Sequence, residues 1–342
     1  MHAARKGHAM SRLIEAARSA CCTLSLALIA GGAALAAAAA AAQTWPSKPI
    51  RWIVPFAPGG GVDVTARTIA QRLGPAIGQQ LVIDNRGGAN GNIGVELATK
   101  APADGHTLLM ATTGNIVINP HIYSRLTFDP LRELTPATPA VDVINVLVVH
   151  PALPVKSVKE LIALAKARPN ELNYGSSGPG GSDHIATELF AGLSGTKLTN
   201  ISYKGGAPAM VDLVAGNIQM MIATMAVAVG PIKGERLRPL GVTSRKRFEL
   251  MPQIPTVAEA GVPGYEAVFW FGTFVPNGTA REIVTRVNGE IRTALQAPEL
   301  RQRLLESGLV VTGASPEEFA AFVSGESKKW AKLVREKGIH VE

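Results

Sequence analysis

The chain has 342 residues, 46% of them hydrophobic and 18% charged, which is long enough for two domains. Net charge is +8, but aromatic residues make up only 5% and no basic run carries a series of them, which argues against a base-stacking nucleic-acid surface. Both cysteines, Cys21 and Cys22, fall within the first 42 residues, so a chain without that segment has no disulfide, thiolate nucleophile or cysteine metal site.

Residues 1–42 read as a secretory signal peptide. Arg5, Lys6, Arg12 and Arg18 form the basic start, TLSLALIAGGAALAAAAAAAQ the apolar run, and Ala-x-Ala precedes the polar Gln43. A membrane anchor is the alternative, but the alanine-rich run is only marginally long enough to span a bilayer. Cleavage near Ala42 would lower the net charge from +8 to +5 and leave the mature chain free in the periplasm. The remaining positive charge lies mainly in EIRTALQAPELRQRLLES and ESKKWAKLVREKG, which read as solvated faces of amphipathic helices.

Short β-rich runs then alternate with helical ones. IRWIVPF reads as a buried strand, PFAPGGGVDVTAR (Pro55 to Arg67) as a glycine loop, and Val62, Ala66, Ile69, Ala70 and Leu73 as the inner face of a helix. LVIDN and TLLMAT follow as strands, the second ending in the loop MATTGN (Met110 to Asn115). LNYGS leads into NYGSSGPGGSDH (Asn173 to His184) and a helix through Ile185, Leu189 and Phe190. NISY leads into YKGGAPAM (Tyr203 to Met210), and MMIA and LRPLGV complete the set. The alternation predicts an α/β fold with two largely parallel sheets. No low-complexity linker divides the chain, so two domains would be joined by crossing strands. VDVINVLVV (Val141 to Val149) and YEAVFWFGTFV (Tyr265 to Val275) are the candidates. Residues 43–142 with 268–342 would form one domain and 143–267 the other.

Each glycine loop lies between the carboxyl end of a strand and a helix N-terminus, where unpaired N–H groups and the helix dipole favour an anion. The opening loop lacks the Lys-Ser/Thr of a P-loop, since Val62 and Asp63 follow Gly61. A dinucleotide fingerprint fails at Val64, although Asp84 stands near where a ribose-binding acid would be. Asp63, with Arg67 four residues on, can cap its own helix or order the loop, and it makes a multiply charged phosphate electrostatically awkward; a single carboxylate is easier to hold. GSSGPGG has Pro179 where a nucleophile elbow needs glycine, and Ser182 and His184 are too close in sequence for a nucleophile–base pair.

Several segments then carry a resemblance: WPSKPIRWIVPFAPGGGVDVTAR, NRGGANGNIGVELATKAPADGHTLLMATTGN, LPVKSVKELIALAKARPNELNYGSSG, YKGGAPAMVDLVAGNIQ, IPTVAEAGVPGYEAVFWFG and SPEEFAAFVSGESKKWAKLV. In this order they resemble the Bug-type extracytoplasmic solute receptors, the binding components of tripartite tricarboxylate transporters. The resemblance implies a two-domain periplasmic-binding-protein fold, with two mixed sheets flanked by helices and crossing strands as hinge. It implies capture of a small organic carboxylate by a monomer, delivery to membrane permease subunits, and neither catalysis, cofactor nor metal. The ligand-binding positions it implies are Phe56, Ala57, Gly60 and Asp63 in the first loop, and Thr112, Thr113 and Asn115 in the second. Ser176, Ser177, Ser182 and His184 follow in the third, and Lys204 and Gly205 in the fourth, with Trp270 and Phe271 as further apolar walls. The tail SPEEF reads as a capping box from Ser315 to Glu318, followed by a buried stripe of Phe319, Val323, Trp330 and Val334.

One region departs from the family pattern. GNIQMMIATMAVAV has Gln219 and Ala223 where relatives carry acids and Val227 where they carry serine, which removes the expected partner for a ligand ammonium. A sensory receptor docking a membrane kinase and a secreted hydrolase are the rival readings.

Overall fold

In the computed structural model the chain enters its first sheet at β1 (Ile50–Val54), continues through α1 (Gly61–Ile77), β2 (Leu81–Asn85) and α2 (Asn92–Thr99) to β3 (Thr107–Thr112), and then reaches β4 (Leu134–Val143). One residue later it is in another sheet: β5 (Asn145–Val149), α3 (Val158–Ala167), β6 (Asn173–Ser176), α4 (Ser182–Ser194), β7 (Thr199–Ser202), α5 (Gly206–Ala215), β8 (Met220–Thr224), α6 (Met225–Lys233) and β9 (Arg238–Val242). An irregular stretch leads back to β10 (Phe269–Pro276), α7 (Arg281–Leu295), α8 (Pro298–Glu306), β11 (Leu309–Val311) and α9 (Pro316–Lys337). The described residues are 45–178, 180–203 and 205–340; the leader read in residues 1–42 and the candidate Lys204 lie outside them. From Lys48 onward the chain is one compact unit.

The sheets are six-stranded, in the order β11-β4-β10-β3-β1-β2, and five-stranded, in the order β7-β6-β8-β5-β9. Parallel pairing is confined to β2-β1-β3 and β7-β6-β8; β10, β4 and β11 pair antiparallel in one sheet and β5 and β9 in the other. Both sheets are therefore mixed rather than largely parallel. The antiparallel strands are those next to the passages between sheets, where the chain returns without a crossover helix.

β1 is buried on both faces, as a central parallel strand requires. β4 was hidden in the sequence by Pro136 and Pro139, which cannot donate to a ladder. They are tolerated because β11 covers only Val141–Val143, leaving β4 an edge on that side at both prolines. β10 also shifts register opposite them. On β10, an added Cβ at Gly272 would overlap the Phe319 ring, so glycine lets α9 lie directly on the sheet. Phe319 packs 5.4 Å from Trp270 and 5.3 Å from Phe274. Ser315 accepts the Glu318 N–H while the Glu318 carboxylate accepts the Ser315 N–H, so the predicted capping box starts this helix.

Candidate functional site

The two passages between sheets meet beside a cavity of about 210 Å³. Its floor is Val143 from the end of β4 and Phe269 and Phe271 from the start of β10. The six-stranded side contributes Phe56, Val62, Asn90, Thr112, Thr113 and Gly114. The five-stranded side contributes Ser177, Gly180, Gly181, Ser182 and Thr224. A Cβ added at Gly180 would overlap Ile122 and come within 3.8 Å of Asn90, both on the opposite side, so the two sides lie close across the mouth. At this size the space suits a small metabolite rather than a drug-sized ligand, for which about 300–1,000 Å³ is usual.

Three helices begin at this cavity with no side-chain cap. The N-caps are Gly60 for α1, Gly181 for α4 and Thr224 for α6. By contrast Ser157 caps α3 and Ser315 caps α9, both away from the cavity. Uncapped starts occur elsewhere too, at α2, α5, α7 and α8, but three of them border this one space. Each start leaves N–H groups without intrahelical acceptors and roughly half a positive charge. No Asp, Glu, Lys, Arg or His is among the described residues lining the space. The charge it offers a ligand is therefore that of the helix ends, not of charged side chains.

Two buried aspartates hold these loops in shape. Asp63 accepts the Gly59 N–H at 2.9 Å, the Arg67 guanidinium at 3.0 Å and the Asn85 amide at 2.9 Å, and Asn85 also donates to the Phe56 carbonyl at 3.0 Å. Burial alone would raise the Asp63 carboxyl, but Arg67, Gly59 and Asn85 together hold it below its usual range. Asp183 accepts the Ser177 N–H at 2.7 Å, the Ser177 hydroxyl at 2.8 Å and the His184 N–H at 2.8 Å. Here burial prevails and pushes the carboxyl up against those three bonds. Both carboxylates are turned onto their own loops and neither lines the cavity.

Of the residues singled out in the sequence, Phe56, Thr112, Thr113, Ser177 and Ser182 line the cavity, with Trp270 and Phe271. The Ser182 hydroxyl has no hydrogen-bond partner among the described residues. The Thr113 hydroxyl is engaged by the crossing strand, accepting the Trp270 N–H at 2.7 Å. Asn115 sits behind the wall; its Oδ1 accepts the Thr112 N–H at 2.9 Å, while its buried Nδ2 has no partner among the described residues. Ser176 is buried and donates to Asn200 at 2.8 Å. The His184 Nδ1 accepts the Gly180 N–H at 3.2 Å, which places its proton on Nε2, and burial lowers its pKa. Ala57 and Gly60 are exposed beside the cavity and Gly205 is the N-cap of α5; none of these three lines it. Asp84, the ribose-binding candidate, is held by Arg51 at 2.7 Å and Arg86 at 2.8 Å.

The lining residues missed were Asn90, Ile118, Val143, Thr224 and Phe269. Thr224 follows the same strand-to-helix pattern as the glycine loops, but the continuous apolar run Met220–Val229 conceals the boundary. It supplies a polar edge in the segment GNIQMMIATMAVAV. Gln219, in the same segment, accepts the Asn173 N–H at 2.9 Å and so is structural.

Known proteins share this architecture. The chain is 40% identical over 295 residues to a UPF0065 protein in the tcbD-tcbE intergenic region of Pseudomonas sp. (strain P51), covering 86% of this chain and 88% of that protein. It is 37% identical over 298 residues to Protein BugT of Bordetella pertussis (strain Tohama I), covering 87% and 91%. Among solved structures, R. palustris Rpa4515 with adipate superposes with a TM-score of 0.78 at 39% identity, covering 86% of this chain and 99% of that one. Residues 65–339 match the tripartite tricarboxylate transporter family receptor, and the chain belongs to that family as a Bug-type solute receptor.

Proposed function

We propose that the protein is a periplasmic receptor that captures a small, amine-free organic carboxylate between two lobes and delivers it to membrane permease subunits. The lobes would be residues 43–142 with 268–342, and residues 143–267. The observation that carries this reading is the convergence of three uncapped helix N-termini on one cavity with no charged side chain among its described lining residues. Carboxylate oxygens would accept from first-turn N–H groups of α1 and α4 and from the hydroxyls of Ser182 and Thr224, with waters filling remaining positions. Phe56, Phe269 and Phe271 would enclose the carbon chain. An ammonium would enter the same space without a carboxylate partner, an expensive arrangement once water is excluded. The relative solved with adipate supports a linear dicarboxylate as the first compound to try.

A thermal-shift panel tests the reading. Adipate or another amine-free acid should raise the melting temperature by mass action, with aspartate and glutamate giving little. A larger shift with either amino acid than with any amine-free acid would overturn the assignment of ligand class.

A further inference from the structure

Asn145 opens β5 at the passage from one sheet to the other, and its side chain is fully buried. Neither its Nδ2 nor its Oδ1 has a hydrogen-bond partner among the described residues, and no other buried side chain there leaves two polar atoms unmet. Its main chain, by contrast, is engaged: the carbonyl accepts the Thr243 N–H at 2.9 Å and the Thr243 hydroxyl at 3.2 Å. A buried amide of this kind is costly unless something from outside the chain meets both atoms.

Its position shows where that group would stand. Asn145 pairs in register with Thr224 on β8, so the two side chains leave the same face of the five-stranded sheet. Thr224 lines the cavity, as does Val143, two residues before Asn145. The Thr224 hydroxyl also has no hydrogen-bond partner among the described residues, and it does not cap the helix that it precedes. Register partners on one face have Cβ atoms about 4.5–5.5 Å apart, and one oxygen can bridge two polar groups so placed. The amide of Asn145 therefore stands one layer behind the cavity floor, with Thr224 at its edge.

The amide also sets the chemistry of that oxygen. Nδ2 donates and Oδ1 accepts, so the group that meets them must do both. An ionised carboxylate only accepts, an ammonium only donates, and a methylene does neither. A single O–H group can accept from Nδ2 and from the Thr224 hydroxyl while donating to Oδ1. We propose that Asn145 and Thr224 form a hydroxyl subsite, so that the captured acid is a hydroxy acid whose O–H group is read at this point. The inference rests on the reading of the cavity as a carboxylate site. A bound water offers the same O–H chemistry, and acids matched except for the hydroxyl tell the two sources apart.

Calorimetry on matched pairs tests this: malate against succinate, 3-hydroxyadipate against adipate, and serine against alanine. In the wild type the hydroxy acid of at least one amine-free pair should bind about tenfold or more tighter than its parent. Asn145→Leu keeps the shape of the side chain and removes both polar atoms. It should bring the hydroxy acid down to the affinity of its parent, while the parent changes by less than about threefold. Equal wild-type affinities within every pair would mean that water fills the gap, overturning the hydroxyl subsite and leaving the carboxylate class intact. A preference that survives in folded Asn145→Leu would place the reading of the hydroxyl elsewhere and overturn it too. Serine preferred to alanine, with the preference lost in Asn145→Leu, would sustain the subsite and sink the amine-free class alone. Binding of no compound in the panel would sink both. If Asn145→Leu does not fold, Thr224→Val at the cavity edge decides: the preference should shrink at least about threefold, and an unchanged preference refutes the subsite.

Discussion

Gly180, on the loop before α4, lies against Ile122 on the opposite side of the cavity mouth so closely that an added Cβ would overlap the isoleucine Cδ1. Gly180 also has φ +75°, in the left-handed region that disfavours other residues. Gly180→Ala should therefore hold the mouth ajar. Ligand affinity should fall about tenfold or more, while the ligand-free protein loses about 1 kcal/mol of stability from backbone strain. Calorimetry beside urea unfolding separates the two effects, and an unchanged affinity would show that this contact does not report closure.

The first-loop glycines make different predictions from one another. A Cβ at Gly60 would meet only the Ala57 carbonyl at 3.7 Å, whereas one at Gly61 would point at the Phe271 ring, also at 3.7 Å, on the cavity wall. Gly61→Leu should occupy ligand space and abolish detectable binding. Gly60→Ala should change affinity by less than about twofold, since neither space nor φ opposes it. The reverse order of effects would place the ligand outside this cavity.

Asp63→Ala and Asp183→Ala should act on the loops rather than on the ligand. Each removes the acceptor for buried or half-buried donors, a loss of about 1–3 kcal/mol in unfolding free energy. Asp63 also has a depressed pKa, so its contribution is present above the unfolded carboxyl value and is lost as pH falls through the folded one. The deficit of Asp63→Ala relative to wild type should accordingly shrink in acid. A deficit that stayed constant down to about pH 2 would contradict the tether.

Asp142 carries the opposite sign. Burial first, then the carboxylates of Glu326 and Glu266, raise its pKa from 3.8 to about 6. An acid whose pKa is raised by folding stabilises the native state most below its unfolded value, and that contribution is lost as pH rises through the folded value. Asp142→Asn should match wild type near pH 4 and exceed it at about pH 8, by roughly 2–3 kcal/mol at about 1.4 kcal/mol per pKa unit. Equal stability at both pH values would mean that Asp142 is ionised without cost.

Local patterns carried much of the fold. β1, its glycine loop and α1 follow one another as the periodicity indicates, and the capping box of α9 is readable from Ser315 and Glu318 alone. What escaped depended on partners distant in sequence. Pro136 and Pro139 conceal β4 because the short reach of β11, which lets them in, is a tertiary fact. Ser176 looked available until Asn200, twenty-four positions on, took its hydroxyl. Thr224 was concealed because strand and helix share one apolar run. Asp63 announced itself as a helix-start residue, but its grip on Gly59, like that of Asp183 on Ser177, needs the loop's actual path.

The most direct test of the central claim is mass spectrometry of the small molecule retained after gentle purification from the native cells. One amine-free organic carboxylate per protein, released on unfolding, is the expected result. Retention of an amino acid or a phosphate ester in its place would contradict a site built from uncapped helix N-termini among uncharged walls.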